Sequence, residues 1–256
     1  MSEKIGEERV APRISGLKNE APDTFMQVVP GICPPMLSLR KWNVTFPAFI
    51  RRLRQARFAR SVQSFDQQDP VFSAFPEIET ERLLLREIMP EDAAAVLRIF
   101  GDSEVTRYYD LDTYTTLDQA RELIEFFDES FELERAIRWG IALKETDDLI
   151  GTCGYVWIRQ FRGEIGYDLM REHWRNGYMS EALDAILEFG FDSLKLNRIE
   201  ALVMTENIAS SGLLRSLGFA EEGVLRQHDF FKDEFHDMRL FSLLREEFYE
   251  DSSTVL

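Results

Sequence analysis

The sequence predicts a mixed α/β (α+β) domain: a twisted central sheet of about seven strands with helices on both faces, plus an N-terminal extension. Three observations predict it. Residues 164–183 read as a strand that turns through a glycine into a helix. Ile165, Tyr167 and Leu169 alternate with Glu164, Gly166 and Asp168, a period of two. Met179, Leu183, Ile186, Leu187 and Phe191 then recur at three- and four-residue steps. A strand-like run at 198–204 leads into a short helix from Asn207 that stops at Gly218. Finally, two pairs of strand-like runs, 137–144 with 149–159 and 223–232 with 235–244, are each joined by turn residues.

The extension comes first along the chain. Residues 1–39 hold five of the nine prolines and no sustained period, so they read as a loosely ordered arm. Residues 40–60 differ. Phe46, Phe49, Ile50, Leu53 and Phe58 lie among Arg40, Arg51, Arg52, Arg54, Arg57 and Arg60. A basic amphipathic segment suits a membrane surface or RNA. Docking on this chain's own acidic body, or on a neighbouring copy, is the simpler expectation, so a homo-oligomer stays open. Residues 61–75 read as a polar linker. The folded domain is expected at 76–250 and a tail at 251–256.

The domain opens with a strand at 82–88. Pro90 suits a first helical position, with Met89 standing where a Ser or Thr cap is usual. This helix runs to about Phe100. A second starts near Thr116, where Gln119 three residues on completes a capping box. Its buried stripe is Leu117, Ala120, Leu123, Phe127 and Phe131. Glu122, Glu125, Asp128, Glu129 and Glu132 form its polar side. The first hairpin turns at 145–148. The strand–glycine–helix unit follows, then the 198–204 strand, the Asn207 helix and the closing hairpin.

Charge is uneven. The chain carries −16, but residues 1–75 hold 11 Lys/Arg against 7 Asp/Glu and the remainder holds 19 against 39, that is +4 and −20. An acidic body argues against nucleic-acid binding, whose affinity comes mostly from neutralising phosphate, so no specific DNA binding is expected. It suits a cationic partner. Cys33 and Cys153 make neither a disulfide framework nor a metal-ligand spacing, so no metal is expected. Cys153 reads as a small buried hydrophobe. The N-terminus lacks a signal pattern, and the apolar run at 28–37 is cut by three prolines. A cytoplasmic protein with no transmembrane segment is the expectation.

The chemical focus is Arg175-Asn176-Gly177-Tyr178. A helix starting there leaves backbone N–H groups unpaired and aimed at one point, where an anion is favoured. Gly177 has no Cβ to hinder a phosphate. The same unit also occurs in crossovers that bind nothing. Other segments sharpen the reading: T-E-R-L-L-L-R at 80–86, G-E-I-G-Y at 163–167, H-W-R-N-G-Y-M-S-E-A at 173–182, N-I-A-S at 207–210 and L-G-F at 217–219. In this order and spacing they resemble the GNAT superfamily of acetyl-CoA-dependent N-acetyltransferases, over about residues 76–250. The branch they resemble most acetylates the N-terminal α-amine of ribosomal proteins.

The resemblance implies the GNAT fold and acetyl-CoA as cosubstrate. It implies that the pyrophosphate docks on the backbone of Arg175, Asn176, Gly177, Tyr178 and Met179, with Ser180 and Asn207 completing the CoA site. The superfamily loop reads Arg/Gln-x-x-Gly-x-Gly/Ala; here Trp174 and Met179 replace its ends and the central glycine is kept. The Arg175 side chain is either a phosphate contact or a surface arginine. A backbone N–H of the 164–170 strand is implied as the oxyanion donor. Many members place a Tyr where Leu214 stands, so the resemblance shifts the general acid to Ser210, one turn earlier. A serine that only bonds backbone is the alternative. Glu164 is the candidate base and a surface or salt-bridged glutamate its alternative, with His173 ranked below. The implied acceptor is a cationic protein N-terminus or a small amine such as an amino sugar, polyamine or antibiotic. A non-catalytic acyl-CoA-binding module stays open. The acids of the Thr116 helix are expected to line the acceptor groove.

Overall fold

In the computed structural model the structure describes residues 70–252. The arm, the basic segment 40–60 and Cys33 lie outside the described residues. Among the described residues, eight strands form one sheet: β1 (Ile78–Glu79), β2 (Leu83–Arg86), β3 (Ile137–Leu143), β4 (Leu149–Arg159), β5 (Arg162–Leu169), β6 (Arg198–Met204), β7 (Ala220–Phe231) and β8 (Glu234–Leu244). Their order is β1-β2-β3-β4-β5-β6-β8-β7. Only β5 and β6 pair in parallel; the other neighbours run antiparallel. The strand beyond the expected seven is β1, whose two residues are too short to show a period. The helices are α1 (Ala93–Phe100), α2 (Ser103–Thr106), α3 (Leu117–Glu132), α4 (Tyr178–Asp192), α5 (Ile208–Ser216) and α6 (Arg245–Ser252).

Local chemistry sets the helix starts. A 3-10 turn, Pro90–Asp92, precedes α1, and the Asp92 carboxylate accepts the Met89 N–H at 2.8 Å in place of a side-chain cap on Met89. At α3 the Gln119 N–H donates to Thr116 Oγ1 at 3.4 Å and the Thr116 N–H donates to Gln119 Oε1 at 3.0 Å, a reciprocal capping box. Ala120, Leu123, Ile124 and Phe127 are buried on α3. Leu117, expected in that stripe, is 41% exposed, because it is the first helical residue and lies beyond the edge of the packed face.

Two cores sandwich the sheet. On one face Leu183, Ile186, Leu187 and Phe191 of α4 and Leu214 of α5 pack with Tyr155, Ile165, Leu169 and Phe241. On the other, Val96, Ile99 and Phe100 of α1 and Leu123 and Phe127 of α3 pack with Ile88, Leu149 and Met170. Each such fully buried side chain stabilises the fold by roughly 1.5–3 kcal/mol. The packing reaches upstream of residue 76: Phe72 and Phe75 set their rings 5.4 and 5.0 Å from Phe131. Close approach of α4 to the sheet depends on Gly190. The Tyr155 hydroxyl donates to the Ile186 carbonyl at 2.8 Å, and a Cβ on Gly190 would fall 1.8 Å from that hydroxyl.

One topological detail positions the site. The parallel β5–β6 ladder holds only from Arg162, Gly163 and Glu164 to Arg198, Ile199 and Glu200. Beyond Glu164, β5 stays with β4 and β6 stays with β8, and the two strands part.

Candidate active site

The opening between β5 and β6 is a cavity of about 650 Å³ that runs from the start of α4 to the β7–β8 hairpin. Its walls include Ile165 to Leu169 of β5 and Ala201 to Met204 of β6. The Met170 N–H donates to the Ile150 carbonyl at 2.8 Å, toward β4. Antiparallel alternation therefore turns the Leu169 and Tyr167 amides the other way, toward the opening. The Leu169 carbonyl on that side accepts the Trp174 indole N–H at 2.7 Å.

The anion-suited end forms at the start of α4. Arg175 and Gly177 both take the left-handed conformation, at φ 62° and 78°. The first intrahelical bond here runs from the Glu181 N–H to the Gly177 carbonyl at 3.1 Å, so the N–H groups of Tyr178, Met179 and Ser180 precede the ladder. Arg175, Gly177, Tyr178, Met179 and Ser180 line the cavity. Asn176 does not: its carbonyl turns away to accept Arg82 Nη1 at 2.9 Å. Arg82 also bonds Glu181 through Nε at 2.6 Å and lies 4.5 Å over the Tyr178 ring. Thr80 Oγ1 donates to the same carboxylate at 2.6 Å. Burial opposes ionisation of Glu181, but these hydrogen bonds outweigh it and hold the carboxyl below the usual range. The sequence showed Arg82 only as part of T-E-R-L-L-L-R. Its bracing of the loop depends on contacts about a hundred residues apart.

Along the same wall, Asn207 Oδ1 accepts the Ser210 N–H at 3.1 Å and caps α5. Leu214 is fully buried in the core. Ser210 is half-buried, and its Oγ lies 2.6 Å from the Tyr167 hydroxyl on β5. Burial pushes the Tyr167 phenol up to about 12, with the Ser210 hydrogen bond acting against that rise. Sequence reading placed Tyr167 in an apolar stripe and missed this pair. The polar end of a tyrosine within such a stripe was the available signal.

On the opposite face of β5, Glu164 is 7% exposed and accepts the Trp157 indole N–H at 2.8 Å. A bulge between Tyr155 and Trp157 brings these two opposite each other. Further along lies a buried network. Asp168 Oδ2 meets the Arg138 guanidinium, accepts Thr152 Oγ1 at 2.9 Å and accepts the Tyr109 hydroxyl at 3.1 Å. Arg138 Nε also donates to Thr152 at 2.7 Å, and Nη1 to the Gly166 carbonyl at 2.8 Å. Burial raises the Asp168 carboxyl, working against Arg138 and the donors. Glu104, Asp110, Glu164, Asp168 and Asp229 are the acids of the lining. Glu122, Glu125, Asp128, Glu129 and Glu132 are not among them. That expectation is corrected: α3 presents its acids to solvent because its other face is consumed by the core. His173 lines the cavity at the α4 end, away from Glu164 along the chain's path.

The sheet is thus parted between two parallel strands, with a helix start at one end of the gap. A family model described as an acetyltransferase (GNAT) domain matches residues 82–220, and the chain belongs to that family. It is 43% identical over 173 residues to the uncharacterised N-acetyltransferase YoaA of Bacillus subtilis (strain 168), covering 67% of this chain and 98% of that protein. The ribosomal-protein-serine acetyltransferase of Escherichia coli (strain K12) is 32% identical over 98 residues, 38% of this chain and 55% of that protein. The crystal structure of a GNAT-family acetyltransferase from Bacillus anthracis superposes with a TM-score of 0.60 at 26% identity, covering 67% of this chain and 99% of that one. The protein is an N-acetyltransferase of the GNAT type. No helix among the described residues is long and apolar enough to cross a membrane.

Proposed function

We propose that this enzyme acetylates a cationic acceptor, namely the N-terminal α-amine of a protein of the ribosomal class. One observation carries the reading. One cavity takes in both the start of α4 and the carboxylates Glu104, Asp110, Glu164 and Asp229, with Asp168 already paired to Arg138 and with Arg107 and Arg175 as the arginines of the lining. Carboxylates there favour a cation and repel an anion. The likeness to the ribosomal-protein-serine acetyltransferase supports a protein acceptor.

Acetyl-CoA supplies the activated acetyl thioester. The residues present fit it: Gly177 leaves its would-be Cβ position with only Arg82 Nη2 nearby, at 3.3 Å, and the first-turn amides of α4 suit a pyrophosphate. Arg175, Gly177, Tyr178, Met179 and Ser180 take the phosphate end, Asn176 fixes the loop through Arg82, and Asn207 fixes α5. The Tyr167 amide serves as donor to the oxyanion. Preorganised donors of this kind are worth ~3 kcal/mol in a transition state. Glu164 takes the amine proton, directly or through water. An α-amine near ~8 needs little such help, whereas a lysine near ~10.4 needs more. Ser210 delivers the proton to the departing thiolate.

The test is thiol release from acetyl-CoA across peptides and small amines. A peptide with a small first residue followed by Lys or Arg is expected to exceed an acidic peptide in kcat/KM. Its lead narrows as salt shortens the Debye length from ~10 Å at 0.1 M to ~3 Å at 1 M. Equal rates for both peptides, or faster acetylation of a small amine than of any peptide, overturns the protein acceptor.

A further inference from the structure

We propose that Tyr167 is the proton source behind Ser210, so that two hydroxyls on opposite walls of the cleft form one relay to the leaving sulfur. The inference rests on the reading of Ser210 as the acid. It goes beyond it, because it assigns a role to a strand residue that sits 43 positions away in sequence.

The two hydroxyls approach to 2.6 Å, bridging β5 and α5 across the parted strands, and both residues line the cavity. Asn207 fixes the Ser210 backbone, and β4 fixes the strand that carries Tyr167, so each hydroxyl extends from a tethered backbone. Chemistry then decides the direction. An aliphatic hydroxyl is a far weaker acid than a phenol, and alone it matches a thiolate poorly. Even raised to about 12 by burial, the Tyr167 phenol lies closer to a thiol at ~8.5 than an aliphatic hydroxyl does, and it is protonated at neutral pH. Leu214, buried in the core, leaves α5 without a phenol of its own at that turn.

The step balances as follows. The acceptor nitrogen forms the C–N bond as the C–S bond breaks. Its proton leaves through Glu164 to solvent. The sulfur takes the Ser210 proton while Ser210 takes the Tyr167 proton, and solvent reprotonates the phenolate before the next turnover. Tyr167 acts through Ser210 and is a positioning residue.

A double-mutant cycle with Ser210→Ala and Tyr167→Phe tests this. The readout is thiol release to the best peptide of the panel and, in parallel, to hydroxylamine. The binding constant for acetyl-CoA is measured for each variant. Ser210→Ala is expected to lower kcat roughly 10²-fold and Tyr167→Phe at least ~10-fold, within the range of positioned acid catalysis. The double variant is expected to be no slower than Ser210→Ala, and acetyl-CoA affinity to stay unchanged throughout. In mixtures of light and heavy water, wild-type kcat should bow, as two moving protons require, and Tyr167→Phe should give a straight line. Wild-type turnover in Ser210→Ala removes the acid reading itself. A slow Ser210→Ala with a wild-type Tyr167→Phe, or losses that multiply in the double variant, overturns the relay and leaves Ser210 as the acid.

Discussion

Replacing Asp168 by alanine probes the buried pair that anchors β5. The change strips the counter-charge from Arg138, whose side chain is 4% exposed, while Thr152 and the Gly166 carbonyl still tether the guanidinium inside. Removing one partner of a buried ion pair costs about 3–5 kcal/mol, because the survivor is an uncompensated charge. Exposed pairs such as Arg121 with Asp118 contribute only ~0–1 kcal/mol. For a domain of this size each kcal/mol moves the midpoint by about 2–4 °C, so the expected drop is roughly 6–20 °C. Urea unfolding followed by circular dichroism reads the free energy, and a thermal scan reads the shift. Adding Arg138→Met to Asp168→Ala should recover part of the loss, since the stranded charge is then gone. A loss below ~1 kcal/mol, or a double variant as unstable as the two single losses summed, refutes the reasoning.

Gly177→Val forces a branched side chain into a left-handed conformation that costs an ordinary residue about 1–2 kcal/mol, and it places carbon where phosphate would approach. Calorimetric titration should show a folded protein with CoA affinity reduced at least ~10-fold. Glu164→Gln keeps an acceptor for the Trp157 indole but no base, so turnover should fall at neutral pH and recover as pH rises and the amine deprotonates unaided. A loss that does not change with pH indicates a positioning role. Arg198, and after it Ser242, holds the Glu222 carboxyl down at about 2, below the ordinary glutamate value of ~4.3. A depressed carboxyl stabilises the fold above its unfolded value and loses that contribution as pH falls through the folded one. Glu222→Gln should therefore flatten the stability profile between pH ~4.3 and ~2 in acid titrations.

Much of the fold was legible because its signals are local. The Thr116–Gln119 capping box, the alternation on β5 and the glycine before α4 each lie within a few residues. What escaped notice depends on distant pairing. Leu117 reads as core by spacing, yet as the first residue of α3 it lies beyond the packed face and is half-exposed. Phe72 and Phe75 stand in a polar stretch, and packing against distant rings, Phe131 for both and Trp139 for Phe75, makes them part of the body. At the site, backbone features were readable and side-chain partnerships were not. Arg138 and Asp168, or Tyr167 and Ser210, meet through strand register and the parting of β5 from β6, which no short window contains.

The bulge at Tyr155 and Trp157 explains how one strand serves two halves of a cavity. In an antiparallel pair, residues directly opposite share a face. Tyr155 opposes Ile165 on the α4 face, and by simple alternation Trp157 would point to that face as well. The inserted Val156 shifts the register by one, so that Trp157 opposes Glu164 instead. Its indole then reaches Glu164 on the α1 and α3 side of the sheet. Ile165, Tyr167 and Leu169 stay on the α4 face with the helix starts and Ser210, while Glu164 and Asp168 stay on the acidic side. A one-residue slip of β5 would exchange the two sets and put carboxylates beside the phosphate loop. The bulge, the Arg138 network and the short β5–β6 ladder thus fix the register, and the register keeps the carboxylates apart from the anion-suited end.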